Sequence, residues 1–93
     1  MIELSIKTSK REEIIDITKL VEEKLAGKSG LATIFTQHST AAIIINENYD
    51  LNLRRDILEA LDKLIPQGIW RHDKIDNNAA AHIKATILGP SET

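Results

Sequence analysis

The stretch FTQHSTAAIIINEN, residues 35–48, decides the fold because it is the most strongly β-forming part of the chain. Two apolar segments, LATIFTQ and AAIIINE, are separated by His38, Ser39 and Thr40. A run as apolar as residues 41–45 is typical of a strand that is buried on both faces. The stretch therefore predicts two strands, and polar groups that could form a site flank the second one.

Upstream of this stretch, the pattern predicts two strands and a helix. Apolar and polar residues alternate over residues 2–7, which is typical of a strand with one buried face. The polar TSKREE that follows predicts a turn, and residues 13–17 predict a second short strand. Asp16 or Thr18 can then cap a helix that ends before Gly27, where a left-handed residue is favoured.

Downstream, the spacing predicts a long helix, a loop and a short helix. Asp50 caps the long helix, which runs through Ile65 and ends at Pro66. Its predicted apolar stripe consists of Leu53, Ile57, Ala60, Leu61 and Leu64. Residues 66–78 have the composition of a loop, and AAAHIKATIL predicts a short helix that Gly89-Pro90 ends.

The composition narrows the class of protein. Ninety-three residues fit one α+β domain, residues 1–93, with a modest core whose stability is marginal unless subunits associate. A net charge of −2 and 3% aromatic residues argue against a nucleic-acid partner. The chain has no cysteine, so His, carboxylate and amide groups are the possible metal ligands. No targeting segment or membrane-length apolar run is visible, and this predicts a cytoplasmic protein without a membrane partner.

Three histidines are the first candidates for chemistry. His38 lies between the predicted strands, His72 in the loop and His82 on the short helix. The closest pair is ten residues apart, whereas zinc motifs usually place two ligands three to five residues apart. The spacing alone favours the plainer interpretation, in which one histidine sits in a turn, one is exposed and one packs on a helix.

Basic and acidic side chains give further candidates. Adjacent arginines on a helix point about 100° apart, so at most one of Arg54 and Arg55 faces a site. Arg54, Arg71 and Lys84 could contact a phosphorylated ligand, although no glycine-rich phosphate loop accompanies them. Glu47 could be a ligand or general base beside His38, or it could serve the start of the helix as Asp50 does.

Three motifs in one order identify a family resemblance. FTQHSTAAIIINEN, DLNLRRDILEALDKLIP and WRHDKIDNNAAAHIKATILG together resemble the YjbQ-like family of secondary thiamine-phosphate synthases over essentially the whole chain. The resemblance implies an α+β fold of order β-β-α-β-β-α followed by further strands, packed as a two-sheet β-sandwich that forms a homotrimer. It also implies that this chain lacks the family's three C-terminal strands. The domain is then incomplete, and an active site within one chain is incomplete as well. Trp70 replaces the family's usual tyrosine before Arg-His, and no role is carried over for it.

The resemblance implies a thiamine-phosphate synthase-like transferase acting on a phosphorylated small molecule with a divalent metal ion, zinc or magnesium. The alternative is a non-catalytic trimeric protein that binds a metal or an anion, or an inactive truncated remnant. A tight hairpin would place His38 and Glu47 at opposite ends, so the site is expected between subunits. The predicted catalytic residues are His38, Glu47, His72 and His82, of which the three histidines are also the metal ligands. The predicted ligand-binding residues are Ser39, Thr40, Asn46, Arg54, Arg71 and Lys84.

Overall fold

A computed structural model describes all of residues 1–93 and contains four helices and two short strands. They are α1 (Thr18–Leu25), β1 (Ile34–Phe35), α2 (Leu51–Leu64), α3 (Asp73–Asp76), α4 (Ala79–Leu88) and β2 (Ser91–Glu92). The chain forms two compact units, Met1–Leu31 and Ala32–Thr93. The single domain expected over residues 1–93 stays a prediction.

In the first unit, the predicted turn and helix are confirmed. Both the amide of Ser9 and that of Lys10 donate to one carboxylate oxygen of Glu13, at 2.9 and 2.7 Å. The Asp16 carboxylate accepts from the amide of Thr18 at 2.9 Å, but the N-cap residue of α1 is Ile17, so neither Asp16 nor Thr18 is the N-cap that the sequence predicts. The two strands expected at residues 2–7 and 13–17 do not form.

Helix α2 begins and ends where the sequence predicts. Asp50 is its N-cap, and the carboxylate accepts from the amide of Asn52 at 2.9 Å. The least exposed residue of this region is Ile65, which follows the helix and is 6% exposed. The half-buried face consists of Leu53, Arg54, Ile57, Leu58 and Leu61. The predicted stripe is therefore wrong for Ala60 and Leu64, because the buried face is rotated toward Arg54 and Ile65.

The sheet consists of β1 and β2, which pair antiparallel with Ile34 opposite Glu92. Two residues just before β2 make further backbone hydrogen bonds, one to the residue after β1 and one to the apolar run. The carbonyl of Pro90 accepts from Thr36 at 2.9 Å, and that of Gly89 accepts from Ile43 at 3.2 Å. Strand β2 was not predicted because GPSET has no β-forming pattern, and it forms because extended backbone on either side needs partners.

The structure supports a small α+β fold with one small sheet, and it does not confirm the two-sheet sandwich of order β-β-α-β-β-α. The apolar run at residues 41–45 is not a strand, and Ile44 and Ile45 are 38% and 72% exposed. A strand requires a neighbour for its backbone groups, and a strong β-forming sequence cannot supply one by itself.

The C-terminal part of the chain contains one predicted and one unexpected helix. Helix α4 is confirmed, and Gly89 follows it with a φ of 91°. Helix α3 lies within the segment that was expected to be a loop. The buried residues of α4 are Ala79, Ala80 and Lys84.

Candidate functional site

The segment between α2 and α4 is fixed by hydrogen bonds that its own side chains make. The indole N–H of Trp70 donates to the carbonyl of Pro66 at 2.7 Å, which returns the segment toward the end of α2. The side-chain amide of Gln67 donates to the carbonyl of Asn77 at 2.7 Å. These bonds set the position of Trp70 and of the residues that follow it.

Asp73 connects this segment to the start of α4. One carboxylate oxygen accepts from the amide of Trp70 at 3.0 Å, and the other accepts from the amide of Ala79 at 3.0 Å. The second bond satisfies one of the amides that the first turn of a helix leaves without an intrahelical partner. His72, on the segment, and His82, on α4, are thereby held in a defined relation to each other.

The two histidines meet at the edge of a cleft. The ring centroids of His72 and His82 are 5.1 Å apart, and the rings are nearly perpendicular at 85°. The cleft has a volume of about 350 Å³ and is lined by these rings together with Trp70, Ala79 and Ile83. It therefore combines an apolar wall with two imidazoles that belong to different parts of the chain.

The two rings make an edge-to-face contact, and their separation is also one that two imidazoles on a single metal ion adopt. Two imidazoles bound to one tetrahedral zinc ion, with Zn–N distances of about 2.0–2.1 Å, have ring centroids about 5 Å apart. His72 and His82 match that separation. No group of three or more His, Cys, Asp or Glu side chains in the chain is arranged to hold a metal ion. The structure thus brings together two of the three predicted ligands.

The third predicted ligand, His38, lies elsewhere in the same unit. Its carbonyl accepts from the amide of Ala41 at 3.1 Å, in a turn, and the residue is exposed. Glu47 is also exposed, and its amide donates to the side chain of Asn46 at 2.8 Å. Ser39 and Thr40, in the turn that begins at His38, are exposed as well. None of these residues lines the cleft.

The predicted arginines differ in their surroundings. Arg54 is half-buried and donates through Nε to the side chain of Asn48 at 2.7 Å, whereas Arg55 is exposed. This agrees with the expectation that adjacent arginines face different environments. Arg71 is exposed and adjoins His72, so it is the predicted arginine next to the cleft.

Lys84 has an acidic partner. Its ammonium donates to Asp62 of α2 at 2.5 Å, and the two side chains are 11% and 51% exposed. A buried ammonium is costly unless it is paired, and this pair connects α4 to α2. Its expected contact with a phosphorylated ligand stays a prediction.

Sequence reasoning did not single out three residues of this region. Asn78 precedes AAAHIK, and an asparagine before a helix is an N-cap signal that could have marked it. Ile83 follows His82 but had no feature that distinguished it from an ordinary core residue. Asp73 accepts from an amide six residues away, and no local pattern reports such a contact.

Fold and cleft together define a small α+β protein in which a helix and the segment before it place two histidines beside an apolar wall. Residues 2–93 match the model of the family described as UPF0047 protein YjbQ-like. The chain belongs to the YjbQ/UPF0047 family, as its motifs predict.

Relatives are found in archaea and bacteria. A UPF0047 protein of Archaeoglobus fulgidus is 50% identical over 90 residues, which are 96% of this chain and 71% of that protein. UPF0047 protein MJ1081 of Methanocaldococcus jannaschii is 42% identical, over 95% of this chain and 65% of that protein. The crystal structure of a YjbQ/UPF0047 protein from Clostridium acetobutylicum is 46% identical, with a TM-score of 0.90 over 99% of this chain and 73% of that one. This chain thus spans about two thirds to three quarters of the length of these relatives.

These relatives correct the expected activity. They are described only as UPF0047 proteins or as an uncharacterised conserved protein of that family, and the family model carries no activity in its description. The predicted thiamine-phosphate synthase activity is therefore wrong, because a resemblance of motifs does not carry a reaction with it. None of the helices has the length and apolar character needed to cross a membrane.

Proposed function

We propose that this protein binds a divalent metal ion through His72 and His82. The observation that carries the proposal is the 5.1 Å separation of the ring centroids, which suits two imidazoles on one ion. Each imidazole comes from a position that other contacts fix, since Asp73 joins the segment of His72 to the helix of His82. Preorganised ligands lower the ordering cost of binding.

Zinc suits the site better than magnesium. Imidazole nitrogen is a good ligand for zinc, copper, iron and nickel, whereas magnesium takes oxygen ligands and retains several waters. A bound zinc ion acts as a Lewis acid toward an oxygen atom of a ligand.

We propose that His38 of a neighbouring copy supplies a third ligand in a homotrimer. His38 is exposed and does not line the cleft of its own chain, which supports a role as a ligand to the ion in a neighbouring chain. Ile44 and Ile45 are 38% and 72% exposed, and association would cover these side chains. It would also give residues 41–45 the strand neighbours that the two-sheet sandwich requires.

A phosphorylated small molecule is the partner that we propose for the cleft. The apolar wall of Trp70 and Ile83 would contact the body of such a molecule, and the exposed Arg71 beside His72 would contact its phosphate. We propose that a site completed between copies also includes the other predicted site residues. They are Ser39, Thr40, Asn46, Glu47, Arg54 and Lys84. We propose a cytoplasmic location for the protein.

Titration with zinc, monitored by isothermal calorimetry, tests the metal site. We expect His72→Ala and His82→Ala each to lower zinc affinity at least about 100-fold, because each change removes one of the two imidazoles that this chain brings together. Arg55→Ala, an exposed change on α2, is the matched control and should bind as the wild-type chain does.

His38→Ala separates two arrangements of the site. If His38 of a neighbouring copy is a ligand, this variant loses affinity as well, and binding depends on protein concentration. If it binds zinc as the wild-type chain does, the shared site is wrong and the His72–His82 site stands. A wild-type chain that binds no zinc would refute the metal site itself.

A further inference from the structure

The residues that line the cleft differ in how deeply they lie. His72 is exposed, whereas Trp70, His82 and Ile83 are half-buried. Ala79 also lines the cleft and is only 4% exposed. The lining therefore runs from an imidazole at the surface to the methyl group of Ala79, which forms the floor.

The floor belongs to one face of α4. Ala79, His82 and Ile83 occupy positions i, i+3 and i+4 of this helix, and side chains with that spacing lie on the same face. A longer side chain at position 79 would therefore extend along the face that lines the cleft. The backbone at this point is held, because the amide of Ala79 donates to the carboxylate of Asp73 at 3.0 Å. A small residue at position 79 thus leaves the cleft its volume of about 350 Å³.

Polarity changes along the cleft in the same direction as exposure. The exposed side chains of Arg71 and His72 lie at the surface, whereas the floor is a methyl group. Apolar surface of a ligand gains free energy when it is buried against such a floor. A phosphate in the same place would lose its bonds to water, and the methyl group of Ala79 offers it no hydrogen bond.

From this arrangement we propose that Ala79 determines which ligands the cleft accepts. A phosphorylated ligand enters with its apolar end against Ala79 and keeps its phosphate at the mouth, beside Arg71. This inference rests on the proposed phosphorylated partner and adds the orientation of that ligand and a limit on its apolar part. A cleft of about 350 Å³ is at the small end of the range for small-molecule sites, so the floor residue decides much of the available length.

The test measures how strongly the full 93-residue chain binds methyl, butyl and hexyl phosphate. Trp70 is the only tryptophan of the chain and lines the cleft, so its fluorescence reports binding there. We expect the affinity to rise about fourfold for each methylene that becomes buried, until the apolar part fills the cleft. Inorganic phosphate, which has no apolar part, is the reference for the phosphate alone.

Two changes at position 79 should alter this dependence in opposite directions. Ala79→Leu fills the floor and should lower the ratio of hexyl to methyl phosphate affinity at least about tenfold. Ala79→Gly deepens the cleft and should raise this ratio about twofold or more, and it tests the proposal even if the leucine variant does not fold. The matched controls are Ala60→Leu, an exposed change on α2, and Ala80→Gly, at a buried position that does not line the cleft. Both should keep the wild-type ratio.

The outcomes separate this inference from the proposed function. If the leucine and glycine variants keep the wild-type dependence on chain length, Ala79 does not limit the ligand, and the inference is wrong while the phosphorylated partner stands. Equal affinities of the wild-type chain for methyl and hexyl phosphate would overturn the inference as well, because the apolar end would not reach the floor. If the wild-type chain binds none of these phosphates, the proposed partner fails and this inference fails with it, whereas the zinc titration tests the histidine pair separately.

Discussion

The helical region at residues 51–88 and the apolar run at residues 41–45 belong to the same unit. They differ in how far their side chains are buried and their backbone groups are hydrogen-bonded. Ile65, at the end of α2, is 6% exposed, whereas Ile45 is 72% exposed. The helices also have caps and an ion pair between them. The run instead has the amide of Ile43 bonded to the carbonyl of Gly89.

The difference shows which kind of element one chain can complete. A helix satisfies most of its backbone groups internally, so it forms wherever the sequence favours it. A strand needs a neighbour, and its apolar side chains need a second layer to cover them. The most strongly β-forming part of this chain therefore has fewer of the partners that it needs than the helices have.

The largest effect is expected from Ile65→Ala. Deleting most of a buried isoleucine side chain costs about 2–5 kcal/mol of unfolding free energy, through lost burial and the cavity that remains. Leu64→Ala is the neighbouring control, because Leu64 is 76% exposed and its loss should stay within about 0.5 kcal/mol. Urea unfolding followed by circular dichroism measures both, and equal losses would show that Ile65 is not the anchor of this region.

A smaller effect is expected from Asp62→Asn. This change removes the charge that faces the Lys84 ammonium, and it should cost about 1–2 kcal/mol, less than for a fully buried pair because Asp62 is half-exposed. Asp56→Asn, an exposed change on the same helix, is the control. If both variants unfold at the same urea concentration, the ion pair contributes nothing to the connection between α2 and α4.

The exposed run should respond differently. We expect Ile45→Lys to change the unfolding free energy by less than about 0.5 kcal/mol, because the side chain is exposed within one chain. The same change should weaken self-association about tenfold or more, as measured by analytical ultracentrifugation, because it places a charge where copies are proposed to pack. Ile87→Lys, on α4 and 67% exposed, serves as the control. Equal association of the two variants would show that the run is not part of an interface.

The smallest effect is a local one in the first unit. Hydrogen bonds from the amides of Ser9 and Lys10 hold the pKa of Glu13 below its ordinary value of 4.5. Because the folded pKa is the lower one, the turn is stabilised above the ordinary pKa, and this contribution is lost as the pH falls through the folded value. Titration of the Glu13 carboxyl by NMR checks the direction. Glu13→Gln should shift the amide signals of Ser9 and Lys10 and remove their response to this titration.

Much of the helical structure and its termini was predictable. Asp50 caps α2, and Gly89 follows α4, as local rules require. The buried face of α2 was predicted less well. Whether Leu64 or Ile65 is buried depends on what packs against the helix, and the helical spacing alone does not decide it. Of the site, His72 and His82 were named in advance, but their contact was not derivable from a spacing of ten residues.

The sequence by itself determined the family, the helices α1, α2 and α4, and the cap of α2, because these depend on motif order and on interactions within a few residues. Tertiary structure alone decided that Asp73 would cap α4, that Asp62 would pair with Lys84, and that GPSET would become a strand. It also decided that the β-forming run would form no strand. The physical reason is that each of these outcomes depends on a partner distant in sequence, and a local pattern carries no information about such partners.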